Sequence, residues 1–184
     1  SNKIIGKNIV VIANERVGLE TTRQLLEKKY DVSAIFTSHP SRKKKIADFA
    51  DFTVMESQFP HVPVHFINSP KEPQLIEKIR SYNPNLILVV SWSQILPKAL
   101  IEIPEMGTIG IHYSLLPKRR GGAPLTWAII DGLEVTGLTL FYYDEGVDTG
   151  DIIDSVEINI AFDDTIATLL DKIMIELPKL VLKN

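Results

Sequence analysis

The 184-residue chain has no cysteine. That excludes a disulfide scaffold, zinc ribbons and fingers, iron–sulfur clusters and a thiol nucleophile. It also lacks any apolar run approaching the roughly 18–20 residues of a membrane span, and its N-terminus has no signal-peptide-like apolar stretch. No sign of charge dominates: 20 Lys+Arg stand against 23 Asp+Glu, a net charge of −3. Only Arg42-Lys43-Lys44-Lys45 and Lys118-Arg119-Arg120 are cationic, and both are short. A general nucleic-acid binder needs a basic face to neutralise phosphates, so that class is disfavoured. Repeats, low-complexity tracts and linker-like segments are absent as well. One domain over 1–184 is expected, with no C-terminal accessory domain, in the cytoplasm, with no membrane association and no metal.

What is present is an alternation of apolar strands and amphipathic helices, with 45% of residues hydrophobic. Short β-rich runs at 8–13, 31–37, 64–67, 86–90 and 108–111 read as strands, the fourth apolar enough for a central parallel strand covered on both faces. Helical spacing falls at 19–29, 74–82 and 124–130, with Asn83-Pro84 stopping the second. Longer strands are expected at 135–143 and 152–160, and a closing helix from 164 to about 182. This order predicts an α/β fold with an open, mostly parallel sheet.

The charge that exists is unevenly placed. Residues 1–92 balance at +4 and residues 93–184 at −7, and eight acids with no base lie between Asp144 and Asp164. Of four histidines, His39 and His61 adjoin prolines in loop-like sequence, and His65 lies within a short strand; all three read as surface or structural residues. His112 differs because it ends an apolar strand, and ligands of open α/β sheets bind beyond the carboxyl ends of strands. The segment after it offers Lys118, Arg119 and Arg120 for an anion, and Gly121 and Gly122 for close backbone approach. A strand-capping histidine followed by an exposed basic loop is the competing reading.

Asp144-Glu-Gly-Val-Asp-Thr-Gly-Asp151 has the composition of a tight turn and lacks the EF-hand spacing. Its carboxylates could equally orient a histidine and relay protons through water. Trp92, just past the central strand, suits either the core or a flat aromatic ligand. The loop 13–18 has one glycine where a dinucleotide fingerprint has three, which gives NAD or FAD little support. Ser114 lacks the setting of a nucleophile elbow.

Taken together, Ser93-Gln-Ile-Leu-Pro97, His112-Tyr-Ser-Leu-Leu-Pro117, Arg120-Gly-Gly-Ala-Pro124, Thr136-Gly137 and Asp144–Asp151 resemble the folate-dependent formyltransferase family, in the right order over nearly the whole chain. The resemblance implies a Rossmann-like domain with helices on both faces of the sheet and 10-formyltetrahydrofolate as formyl donor. It implies that a primary amine attacks the formyl carbonyl directly. His112 would stabilise the oxyanion and exchange protons, and Asp148 would orient it and relay a proton through water. The donor would lie against Ser93, Gln94, Ile95, Leu96 and Pro97 and against Asp144, Glu145, Gly146 and Val147. Ser114, Leu115, Leu116, Pro117, Lys118, Arg120, Gly121 and Gly122 would border the acceptor.

The family pattern has asparagine two residues before the histidine, where this chain has Gly110. The loss of one oxyanion donor typically costs ~10²–10³ in rate. The expected acceptor is a small-molecule amine on a nucleotide-linked sugar. Methionyl-tRNA is the alternative acceptor, and a folate- or nucleotide-binding module with impaired catalysis is the other class. Homodimerisation is left open.

Overall fold

A computed structural model of the chain describes residues 4–69, 71–92, 94–116, 118, 123–144 and 150–184. The strands are β1 (Ile9–Ala13), β2 (Val32–Ser38), β3 (Val64–Ile67), β4 (Leu86–Val90), β5 (Thr108–His112), β6 (Val135–Tyr142) and β7 (Ile152–Asn159). The helices are α1 (Arg16–Glu27), α2 (Thr53–Gln58), α3 (Pro73–Ser81), α4 (Lys98–Ile101), α5 (Pro124–Ile130) and α6 (Ile166–Lys183). The seven strands form one sheet in the order β3-β2-β1-β4-β5-β6-β7. β1 to β5 pair in parallel, whereas β6 and β7 are antiparallel additions.

Every residue of β1 and β4 is buried, as continuous Val/Ile/Leu strings require when helices cover both faces. On one face Val11, Leu88, Ile109 and Leu138 pack with Leu25 of α1 and Leu169, Ile173 and Leu177 of α6. On the other, Val10, Ile12, Phe36, Ile87 and Val89 pack with Leu75 and Ile79 of α3 and Leu100 of α4. This second face carries the site residues described below.

The strands fall where the alternation places them. α1 starts at Arg16, ahead of the 19–29 expected, because Val17 and Gly18 are themselves buried against the sheet. α2, α4 and the 3-10 turn at Pro40–Lys45 are too short to show a 3.6-residue period. α6 is capped reciprocally: the Thr165 hydroxyl accepts from Thr168 N at 3.2 Å, and the Thr168 hydroxyl accepts from Thr165 N at 2.8 Å. Lys172 Nζ lies 2.6 Å from Asp164 beside that cap. His65 is structural, stacked on Phe36 with centroids 4.8 Å apart and 2.5 Å from the Tyr82 hydroxyl.

The α6 contact supplies a direct check. Leu177 is fully buried and Ile175 is 59% exposed on the same helix. Leu177→Ala is expected to cost about 2–5 kcal/mol in urea unfolding, and Ile175→Ala less than about 0.5 kcal/mol.

Candidate active site

Parallel pairing of β1, β2, β4 and β5 brings their carboxyl ends to one edge of the sheet. The residues there are Asn14 and Glu15, Ser38, Ser91 and Trp92, and His112. The edge is at the point where strand order reverses, between β1 and β4, the usual ligand crevice of such sheets. Ser91 is held at φ 51°, in the left-handed region that non-glycine residues rarely adopt. Its hydroxyl accepts from Gly18 N at 3.1 Å, which ties the start of α1 to the end of β4. No side chain fits at Gly18, whose added Cβ would lie 2.9 Å from the Val90 carbonyl oxygen.

His112 is the last residue of β5 and is 8% exposed. It pairs with Thr139 of β6, and Gly110 with Phe141. Alternation along a strand puts Gly110 and His112 on one face, the face of Ile87 and Val89, since Ile87 is in register with Thr108 and Val89 with Gly110. The β4–α4 connection lies on that same side: Leu96 is buried in its apolar cluster, with Trp92 and Tyr143 packed against it. Gln94 and Pro97 are half-buried, whereas Ile95 projects 79% exposed. The indole Nε1 of Trp92 is buried without a hydrogen-bond partner among the described residues.

The segment after His112 is fastened to β6 by one hydroxyl. Thr139 Oγ1 donates to the Ser114 carbonyl at 2.6 Å and accepts from Leu116 N at 3.0 Å. Ser114 is itself buried, and its hydroxyl donates to the Lys118 carbonyl at 3.0 Å. Leu115 lies over Gly137, where an added Cβ would come within 2.3 Å of its Cδ2. The Thr136-Gly137 motif therefore serves as a seat for the loop. Lys118 is exposed.

Asp148 lies outside the described residues, as do Ser93, Pro117, Arg120, Gly121, Gly122, Glu145, Gly146 and Val147. Asp144 is exposed. The chain on either side of 144–150 is closed by Tyr142 N donating to the Asp151 carbonyl at 2.9 Å. Because β6 is antiparallel to β5, this point is opposite the start of β5, with Tyr142 facing Ile109.

The sequence offered no signal for a second polar group, on the α1 side of the edge. Burial, then the charge of Asp48, raises Glu15 to about 7. Burial, and then Glu15 and Asp48, push the Tyr113 hydroxyl well above its ordinary value. Arg16 Nε reaches Asp48 at 2.6 Å. Adjacent in sequence, Tyr113 and His112 therefore serve opposite faces of β5. Among the described residues no group of three or more His, Asp or Glu side chains could hold a metal ion, and no helix is long and apolar enough to cross a membrane.

These features define a Rossmann-like α/β domain whose candidate site is a buried histidine at the carboxyl edge, enclosed by the β4–α4 connection and the loop fastened to β6. A family model described as formyl transferase matches residues 5–183, and the chain belongs to that family. It is 37% identical over 167 residues to methionyl-tRNA formyltransferase of Clostridioides difficile, covering 90% of this chain and 54% of that protein. It is 38% identical over 168 residues to the protein of the same name in Trichlorobacter lovleyi, covering 91% and 53%. The chain thus spans about half the length of the curated relatives it matches. Phosphoribosylglycinamide formyltransferase of Bacillus halodurans shares the fold at TM-score 0.78 and 23% identity, covering 95% of this chain and 91% of that one. A formyltetrahydrofolate deformylase of Pseudomonas syringae does so at 0.75 and 20%, covering 96% and 59%.

Two outcomes test this geometry. Thr139→Val leaves the Ser114 carbonyl and Leu116 N–H without their shared partner and is expected to cost about 1–3 kcal/mol, read by urea unfolding. The folded state binds a proton on Glu15 that the unfolded chain has released between its ordinary 4.5 and about 7. Stability therefore falls as pH rises through that window. Glu15→Gln should flatten the fall in a thermal-unfolding series from pH 4.5 to 7.

Proposed function

We propose that the chain transfers a formyl group from 10-formyltetrahydrofolate to a primary amine, with methionyl-tRNA as the acceptor. The observation that carries this reading is a buried histidine at the end of β5 within a chain 37–38% identical to methionyl-tRNA formyltransferases over nine-tenths of its length. Those relatives favour the tRNA acceptor over the nucleotide-linked amino sugar expected from the sequence.

The donor supplies an activated formyl carbon, and this chain supplies the surroundings. The residues between β4 and α4 fit a flat heteroaromatic ring. Ile95 offers exposed apolar surface, the backbone of Gln94 to Pro97 offers donors and acceptors, and Trp92 Nε1 is a buried donor lacking a partner among the described residues. In this reading Ser93 and the stretch Asp144 to Val147 complete the donor side. Ser114 to Lys118 and Arg120 to Gly122 border the acceptor.

His112 directs an imidazole N–H at the formyl oxygen, where negative charge builds as the amine nitrogen bonds to the formyl carbon. As that carbon's bond to the donor nitrogen breaks, the proton lost by the amine passes through His112 and water to the departing nitrogen. Asp148 orients the imidazole and carries the relay.

The test is incubation of the chain and 10-formyltetrahydrofolate with methionyl-tRNA and, separately, with a panel of nucleotide-linked amino sugars. Formyl-methionyl-tRNA is the expected product. Sugar formamide with no formylated tRNA overturns the acceptor, and folate binding without transfer to either would indicate a binding module. His112→Ala and Asp148→Asn should each lower kcat by ~10²–10⁴ while the folate Kd stays within about threefold. Full activity in either variant removes that residue from its role.

A further inference from the structure

Gly110 occupies a place where no side chain fits. A Cβ added there would lie 2.2 Å from Cε2, 3.0 Å from Cζ and 3.1 Å from Cδ2 of Tyr143. The reason is space, since Gly110 is not among the glycines with positive φ. The tyrosine is in contact on several sides. Its backbone N–H donates to the Thr108 carbonyl at 2.8 Å, its ring meets Phe141 with centroids 5.2 Å apart, and it packs on the cluster containing Leu96 and Leu100. The ring thus lies over β5 on the face of Gly110 and His112, between the start of the strand and the histidine. It also stands beside the β4–α4 connection, the proposed donor side.

We propose that Gly110 and Tyr143 form a matched pair, in which the missing side chain admits the Tyr143 ring and the ring becomes the wall of the site next to His112. Tyr143 is then a positioning residue, acting through the shape it gives the donor side and not through its hydroxyl. The asparagine that the resemblance expects at position 110 is incompatible with Tyr143 as it stands. The two positions must change together. The pairing is purely steric, and only its kinetic readout rests on the formyl transfer proposed above.

Gly110→Asn, Tyr143→Ala, Tyr143→Leu, Tyr143→Phe and the double variant Gly110→Asn/Tyr143→Ala form the test. Overpacking predicts that Gly110→Asn lowers Tm by roughly 3–10 °C. Tyr143→Ala should lower Tm in the wild-type background yet raise it in the Gly110→Asn background. Additive losses, or an unchanged Tm for Gly110→Asn, overturn the pairing. For the positioning role, Tyr143→Ala should lower kcat about tenfold or more, since small misplacement of reactants is costly, with a smaller change in KM for the acceptor. Tyr143→Leu provides the same comparison if the alanine variant does not fold. Tyr143→Phe should restore kcat to within about threefold of wild type. Equal losses in Tyr143→Phe and Tyr143→Ala would assign the effect to the hydroxyl, and an unchanged kcat in Tyr143→Ala would leave the ring no role; either overturns the proposal. If the wild-type chain transfers no formyl group to any acceptor, the functional reading fails, and the pair stands or falls on the opposite signs of the Tm changes.

Discussion

Burial of β1 and β4 on both faces is the constraint on which the rest of the structure depends. Their ten residues have no solvent-facing side, so helices must cover the sheet above and below, and each covering helix must return the chain to the same starting edge. The consequence is directional. All the parallel strands end at one edge, and the loops that follow β1, β4 and β5 meet there whatever their sequences. Ser91 in its left-handed conformation and Gly18 with no room for a Cβ show how tightly the chain turns at that junction. Such strain persists only where the surrounding packing over-determines it.

The same sheet divides the edge into two sides. On the α3/α4 side, His112, Gly110, Tyr143, Leu96 and Trp92 share one apolar surface. On the α1/α6 side, Glu15 and Tyr113 sit with Asp48 and Arg16, and burial there raises Glu15 to about 7. A one-residue step past the end of β5, from His112 to Tyr113, crosses between them. The loop after His112 keeps its course because Thr139 offers one buried hydroxyl to two backbone groups of that loop.

Much of the fold was legible in the sequence, for a physical reason. A strand buried on both faces must be apolar at every position, so Ile9–Ala13 and Leu86–Val90 reveal themselves without context. The position of His112 at a strand end follows from the same run of apolar residues ending. The short α2 and α4 left no period to read, and Glu15 gave no sign that it would be half-buried. Nor did the motif around His112 show that the Ser114 hydroxyl donates to the Lys118 carbonyl. The antiparallel course of β6 was equally hidden, because alternation along a strand does not encode its direction.

By itself, then, the sequence determined the alternation of strands and helices, the all-apolar centre of the sheet and the resemblance carried by its ordered motifs. These are local in nature: each depends on residue type and spacing along the chain. The tertiary structure decided which of those residues meet. Gly110 stands as a lone departure in the sequence, and only the antiparallel pairing of β5 with β6 brings the Tyr143 ring over it. Contacts between positions 33 residues apart are set by strand register, and register is fixed by the burial of a whole face, which no short stretch of chain contains.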